Sequence, residues 1–596
     1  MFKKKRYGLI SLITLIILTI LFLNINKNNY STMDREEIPQ RYKWDLSSIY
    51  SSDDEWAKDF DHFQAKLEGF ERDGISVEVS GQELLNLINF KEEVARGVER
   101  VYIYALLRSD EDIRDNNNQK LLLKAEGLKG DLDKVFALIS VQIANIPEER
   151  LQELLEEEEK LMVYKDYLLS IIRGGGYLSP KEERIISLAG GMAGSPRNIF
   201  RMINYADKGG GLNQNTRAAI LNAKVEKDIF YMRARGYESV RESRGVPVEV
   251  YDSLIELVSS NLESLHRYRS TQPLKISTSA PYKGISYLEA QEIIVEALEP
   301  LGKDYIKVIN KAFEERWIDL YPNKGKRKGA YQIGIYDHNP YIATNYTEDL
   351  RGLFTLVHEL GHGVHFYYSS QNQPYLYSRS SILLAEVAST VNEILLINHL
   401  LNNADSRGEY SYLLNFYLQE FESTLYFQTM LAHFEREIYK VAQRGEALTA
   451  QFLSQLYYNL SQEYFGTGEG SYWSQIPHFY ESTFYVYQYA ISFPTALSIA
   501  YNILEEQEGS LESYLAFLKG GGSEESPYLL VNAGGNIMDE KNIERSLAHF
   551  NNILREYERV QRERKAVLVT FFLTSFIIMI ALVVGYKIWK SYISKA

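Results

Sequence analysis

GLFTLVHELGHGVHFYY, residues 352–368, is the stretch from which the rest of the chain can be read. Leu356, Val357, Leu360 and Val364 recur at three- and four-residue spacing, so the segment predicts an amphipathic helix with one buried face. His358 and His362 are four apart. On a helix that spacing stacks both imidazoles one turn apart on one face, where both reach a single metal ion. Glu359 follows the first His. It can stand beside a metal-bound water without ligating the metal, as a general base requires. Zinc suits such imidazole and carboxylate donors and keeps an open position for water in catalytic sites. His is scarce, with 10 in 596 residues, and three lie within this stretch (358, 362 and 365). An ordinary helix with surface His is the plainer alternative.

Two His leave a third ligand to be found. Glu386 lies downstream in ILLAEVASTVNEILL, residues 382–396, which reads as a second apolar helix. A carboxylate in an apolar turn is costly unless paired or bound to metal. Glu386 is therefore the candidate third ligand. Glu393, two turns further on, is placed to hold a ligand His by its second ring nitrogen. For each Glu the competing reading is an exposed helix position. Upstream, YQIGIYDHNPYIATNY at 331–346 alternates with period two and is broken at Asp337–Pro340, which predicts a hairpin or two strand pieces. Such a strand beside a metal site can hold a peptide by main-chain pairing, and a purely structural hairpin is the equal alternative.

The remaining interior reads mostly helical, with periodic apolar residues over 53–67, 82–96, 101–113, 119–146 and 148–167. Glu156–Lys160 reads as a solvated helix face. Gly clusters at 174–176, 190–191, 209–211, 520–522 and 534–535 mark turns or hinges, without the strand-loop-helix context of a phosphate loop. There is no Cys, which excludes disulfides, thiolate metal sites and a Cys nucleophile. A formal net charge of −14 argues against a general nucleic-acid binder. The 45 Tyr residues suit an apolar-walled, wet channel or simply core and surface packing.

Both ends are apolar. Lys3, Lys4, Lys5 and Arg6 precede an uncharged run from Gly8 to Leu23, and no small-residue cleavage pattern follows. This reads as an uncleaved signal anchor. Ala566–Tyr586 is uncharged over the length a bilayer demands and is bounded by Lys565 and Lys587. Two spans put both termini on one side. The basic N-terminus marks that side as cytoplasmic, so the body between is expected outside the cytoplasm, in contact with a lipid bilayer through both spans.

Taken together, HELGHGVH, AEVAST, RYKWDLSSIY at 41–50, RGYESVRES at 235–243, HNPYIATNY at 338–346 and HFYESTFYVYQYA at 478–490 resemble the oligoendopeptidase F branch of the thimet oligopeptidase family. The resemblance runs from about Arg41 to about Glu556. It implies a mainly α, two-lobed metallopeptidase with a deep substrate channel and a small β element beside the metal helix. It implies cleavage of internal bonds in short peptides, and one zinc ion held by His358, His362 and Glu386 with Glu359 as base. His478 and one or two Tyr of the following segment, Tyr489 and Tyr485, would face the scissile carbonyl, with Tyr487 a lesser candidate. That segment carries one residue more between His478 and the Tyr cluster than the branch pattern, which leaves open the Tyr that acts. The two spans are a further departure, since the usual members are soluble. The chain then divides into a basic segment and anchor at 1–30, a helical lobe at 34–200, a catalytic domain at 201–556, a span at 566–586 and a basic tail at 587–596. No protein partner is implied. The rival class is a membrane-tethered peptide-binding protein on an inactive scaffold.

Overall fold

The computed structural model describes residues 30–73, 80–173, 182, 185–186, 189, 192–201, 203, 213–244, 246–271, 282–523 and 526–593. The N-terminal apolar run and the Gly clusters at 174–176, 190–191 and 209–211 lie outside the described residues.

Helices α1 (Asp53–Asp73), α2 (Gly81–Glu111) and α3 (Asn116–Ala144) build a first core. Ser80 and Glu83 form a capping box at the start of α2, satisfying donors that the first turn leaves unpaired. The periodic stretches 82–96 and 101–113 join in one continuous helix that ends at Glu111. Gly97 between them stays helical and lets Phe63 of α1 pack close, where a Cβ would clash with its ring. The stretch 148–167 is not continuous. A helix ends at Glu157, Glu158 is extended, and a second helix begins at Lys165. The Glu run is thus more than a solvated face. Glu157 accepts a hydrogen bond from Gly81 N at 2.9 Å and pairs with Arg150 at 2.8 Å, so it satisfies a donor in the first turn of α2.

A larger core follows, built from α4 (Gln214–Ala234), α5 (Val248–Ser259) and the elements downstream. Between the two cores lies a three-stranded sheet of β1 (Ile318–Asp319), β2 (Tyr331–Ile333) and β3 (Tyr341–Ala343), in the order β1-β3-β2. β2 and β3 pair antiparallel, as the alternation at 331–346 predicts; β1 joins parallel to β3 and was not legible in the sequence. The alternation of β3 decides the architecture. Tyr341 and Ala343 enter the first core, and Ile342 enters the second. The N-terminal segment straps the lobes together. Arg35 pairs with Asp319 of β1 and with Glu111 of α2, and Lys326 closes on Asp319 at 2.6 Å.

The further helices of the larger core include α6 (Leu350–Asn372), α7 (Ile382–Asn402), α8 (Arg407–Phe421), α9 (Phe427–Gln443), α10 (Val486–Leu504), α11 (Ser510–Gly520) and α12 (Glu540–Ile593). α7 is apolar enough to cross a membrane, but most of it is buried in the core. α12 behaves differently along its length. Ile543, Leu547, Phe550, Leu554, Tyr557 and Val560 are buried in the core. From 570 to 590 its apolar side chains are exposed, among them Phe571 at 63%, Leu582 at 68% and Trp589 at 60%.

Candidate metal centre and active site

α6 starts where the sequence provides a cap. Asp349 accepts from Gly352 N at 2.9 Å. The helix then buries Leu356, Val357, Leu360 and Val364 and turns His358 and His362 to one side. The two Nε2 atoms stand 3.1 Å apart. α7 starts at its own cap, Ser381, and packs against α6. The close approach depends on Gly361: a Cβ there would sit 2.6 Å from Ser389 Cα. Gly363 serves the other face, where a Cβ would meet Ile342 of β3 at 3.3 Å. Asn392 also joins the helices, donating to Val357 O at 3.4 Å while accepting from Tyr305 at 2.9 Å.

With the helices this close, Glu386 reaches the imidazoles. Its Oε2 is 3.6 Å from His358 Nε2, and the donor atoms of His358, His362 and Glu386 all lie within 4.8 Å of one another. Glu393 accepts from His358 Nδ1 at 2.9 Å, which leaves Nε2 of that ring for the site. Glu359 is buried, and its Oε2 has no hydrogen-bond partner.

The electrostatics describe a centre short of positive charge. Burial opposes the His358 cation, yet Glu393, Glu386 and Glu359 outweigh it and raise its pKa to about 10. Burial raises Glu359 to about 7, helped by Glu386 and Glu393. Glu386 is raised by burial as well. His362 is driven well below the usual range by burial and by His358. Three carboxylates crowd two imidazoles, and a divalent cation held by His358, His362 and Glu386 would offset that excess of negative charge. The donor set of two imidazoles and one carboxylate, with a free carboxylate alongside, fits zinc with an open position.

The distant segment arrives on the same side. His478 begins a short helix that ends at Glu481, and Tyr485 precedes the first turn of α10. The His478 and Tyr485 rings stack at 5.2 Å, and Tyr489 meets both, at 5.9 and 5.3 Å. The two phenol rings pack edge to face against each other. Both phenols are raised, first by burial and then by charge that includes Glu386; Tyr489 also feels Glu359. Burial lowers His478, so it is neutral near pH 7. Tyr487 points elsewhere, into the core against Tyr251 at 5.1 Å.

His365, the third His of the stretch, is buried against Phe517 and stands outside the donor cluster. One group near the centre was not foreseen. Glu420 of α8 interacts with Glu393 and His358, and burial raises it to about 7. The signal available was an acid within the apolar run LLNFYLQEF.

Fold and site together define a helical metallopeptidase. The peptidase family M3 model matches residues 283–549, and the oligopeptidase F model matches residues 142–208. Oligopeptidase PepF of Bacillus subtilis is 34% identical over 88% of this chain and 88% of its own length. A crystal structure of a putative peptidase from Chlamydophila abortus superposes with a TM-score of 0.74 at 27% identity, covering 89% of this chain and all of that one. Oligoendopeptidase-F from Enterococcus faecium superposes at 0.66 and 27%, over 86% and 99% of the two chains. The chain belongs to peptidase family M3, in its oligopeptidase F branch, and is a metalloendopeptidase acting on oligopeptides. The M3 family comprises zinc metallopeptidases.

Proposed function

We propose that this chain is a zinc metalloendopeptidase that cuts internal bonds of short peptides, with His358, His362 and Glu386 holding one ion and Glu359 as general base. The observation that carries the proposal is the convergence of those three donors beside a buried, unpartnered Glu359 oxygen, with Glu393 fixing the His358 ring. When bound, zinc supplies Lewis-acid polarisation of a water and of the scissile carbonyl. Glu359 takes the proton of the attacking water and returns it to the departing amine. Tyr489, with Tyr485 and His478 beside it, donates to the carbonyl oxygen as negative charge develops there. The free edge of β2 pairs with an extended peptide and presents it to α6. A deep channel between the two lobes admits short peptides and excludes folded chains.

Cleavage of a quenched peptide panel, lost on chelation and restored by zinc, is the expected result. Zinc-loaded protein that cut no peptide would favour the binding-protein alternative.

The membrane reading is part of the same proposal. Residues 566–586 of α12 span about 30 Å at helical rise, the thickness of a hydrocarbon core. Their exposed apolar surface exceeds what water-facing helices carry. We place the enzyme at the cell membrane, held by this span and by the N-terminal apolar run, with the 34–200 lobe and the 201–556 catalytic domain outside the cytoplasm and 587–596 inside. External protease added to intact cells should degrade the body. A body left uncut would refute the orientation.

A further inference from the structure

We infer that Glu435 and Asp228 are positioning residues of the peptidase reaction. They hold Thr483 and Phe484 in the one backbone path that gathers His478, Tyr485 and Tyr489. The inference rests on the reading of those three as the groups that stabilise the transition state.

The chain between His478 and Tyr485 cannot take its path from local preference. The short helix ends at Glu481, Ser482 is extended, and Phe484 has φ +52°. A bulky aromatic residue is strongly disfavoured in that left-handed region and persists only where its surroundings impose it. Two buried carboxylates supply the imposition. Phe484 N donates to Glu435 Oε1 at 2.8 Å, and Thr483 Oγ1 donates to Asp228 Oδ2 at 2.8 Å. The Phe484 ring is clamped between Tyr439 at 4.8 Å and Tyr251 at 5.6 Å. Tyr439 in turn donates to Asp228 Oδ2 at 2.5 Å and accepts from Lys224 at 2.8 Å.

Glu435 and Asp228 are each 1% exposed. Packing alone does not call for Glu435, since an apolar side chain would fill its place without the cost of burying an acid. Asp228 also pairs with Lys224 at 3.2 Å, Lys227 at 2.9 Å and Arg244 at 3.0 Å, so it anchors Thr483 to a buried ion-pair cluster. Glu435 even leaves its Oε2 without a partner. What an apolar residue could not do is accept the N–H of a strained residue. Both carboxylates come from helices outside the metal site, α9 and α4, so they fix the segment relative to the body of the enzyme. Release of Phe484 would let the backbone relax to negative φ. The Tyr485 and Tyr489 rings would then leave their packing against His478 and against each other.

The experiment is a double-mutant cycle on the full-length zinc enzyme. Glu435→Leu removes the acceptor at similar volume, and Glu435→Gln keeps an oxygen for the Phe484 N–H. Glu435→Leu is expected to lower kcat about 100-fold with KM little changed. Its zinc content should match the wild type, and affinity for a phosphinic peptide mimic of the tetrahedral state should fall in parallel. Glu435→Gln should recover most of the activity. In a Tyr489→Phe background the Glu435→Leu loss should largely vanish. Wild-type kcat in Glu435→Leu overturns the inference, as does a Glu435→Gln loss as large as the Leu loss. Additive losses overturn it too, while leaving the role of Tyr489 standing. Wild-type kcat in Tyr489→Phe, Tyr485→Phe and His478→Ala alike overturns the underlying reading instead. Should Glu435→Leu not fold, Thr483→Val takes its place in the cycle with the same outcomes.

Discussion

Gly361→Ala tests whether the metal centre depends on the close packing of two helices. The added methyl carbon would lie 2.6 Å from Ser389 Cα and 3.1 Å from Ala388 O. Carbon atoms settle about 3.5–4.0 Å apart, so the contact must open by about 1 Å. The obstacle is backbone, which cannot rotate away as a side chain would. Alanine favours the helix over glycine by about 1 kcal/mol. Overpacking costs about 1–3 kcal/mol. The net loss of stability is therefore about 0–2 kcal/mol, the difference of those two ranges. Metal binding suffers more. Glu386 rides on α7 and the two His on α6, so the same opening of about 1 Å separates the carboxylate from the imidazoles. Metal-ligand distances tolerate only about 0.2 Å. Zinc affinity should fall tenfold or more, measured by competition with a chromophoric chelator, and peptide cleavage at limiting zinc should fall with it. The thermal midpoint of the metal-free protein should move by only a few degrees. A variant that binds zinc with wild-type affinity would refute the argument from helix separation.

Further outcomes follow from the same geometry. Glu359→Gln should keep zinc and lose about 10²–10⁴-fold in kcat, the range of a general base; loss of zinc in that variant would contradict the division between base and ligands. Glu393→Ala frees the His358 ring and should weaken zinc binding about 10–100-fold, with unchanged affinity as the refuting result. His358 in the metal-free protein is raised to about 10, so zinc must displace its proton at pH 7. Zinc affinity should therefore climb with pH across the neutral range, and calorimetry in buffers of different ionisation enthalpy should detect the released proton. On the acid side, His549 packs against Tyr417 and Tyr501 and is lowered to about 4 by burial. Below its unfolded value of 6.5 the unfolded chain binds this proton and the folded chain does not, so stability falls as pH drops from about 6.5 to 4. His549→Asn should flatten that part of the unfolding profile; an unchanged slope would remove His549 as a contributor.

Much of the site was legible because helices write their neighbours into the sequence. His358 and His362 share a face by their four-residue spacing alone, and an acid within an apolar turn made Glu386 the candidate third ligand. The hairpin at 331–346 announced itself by alternation, and the apolar reach of 566–586 by length. These are one-dimensional signals, repeated within a turn or two of chain.

Tertiary structure decided what no local period encodes. That α7 approaches α6 closely enough for Glu386 to reach the imidazoles depends on Gly361 meeting the backbone of Ser389. That β1 completes the sheet, and that β3 divides two cores, depends on which surfaces are left to cover. The gathering of His478, Tyr485 and Tyr489 depends on a left-handed Phe484 held by carboxylates from two other helices. Such contacts join residues far apart in the chain, and their distances follow from the packing of whole elements. The HELGH stretch therefore points by itself to a metal site, whereas the arrangement of groups around it exists only once the helices have packed.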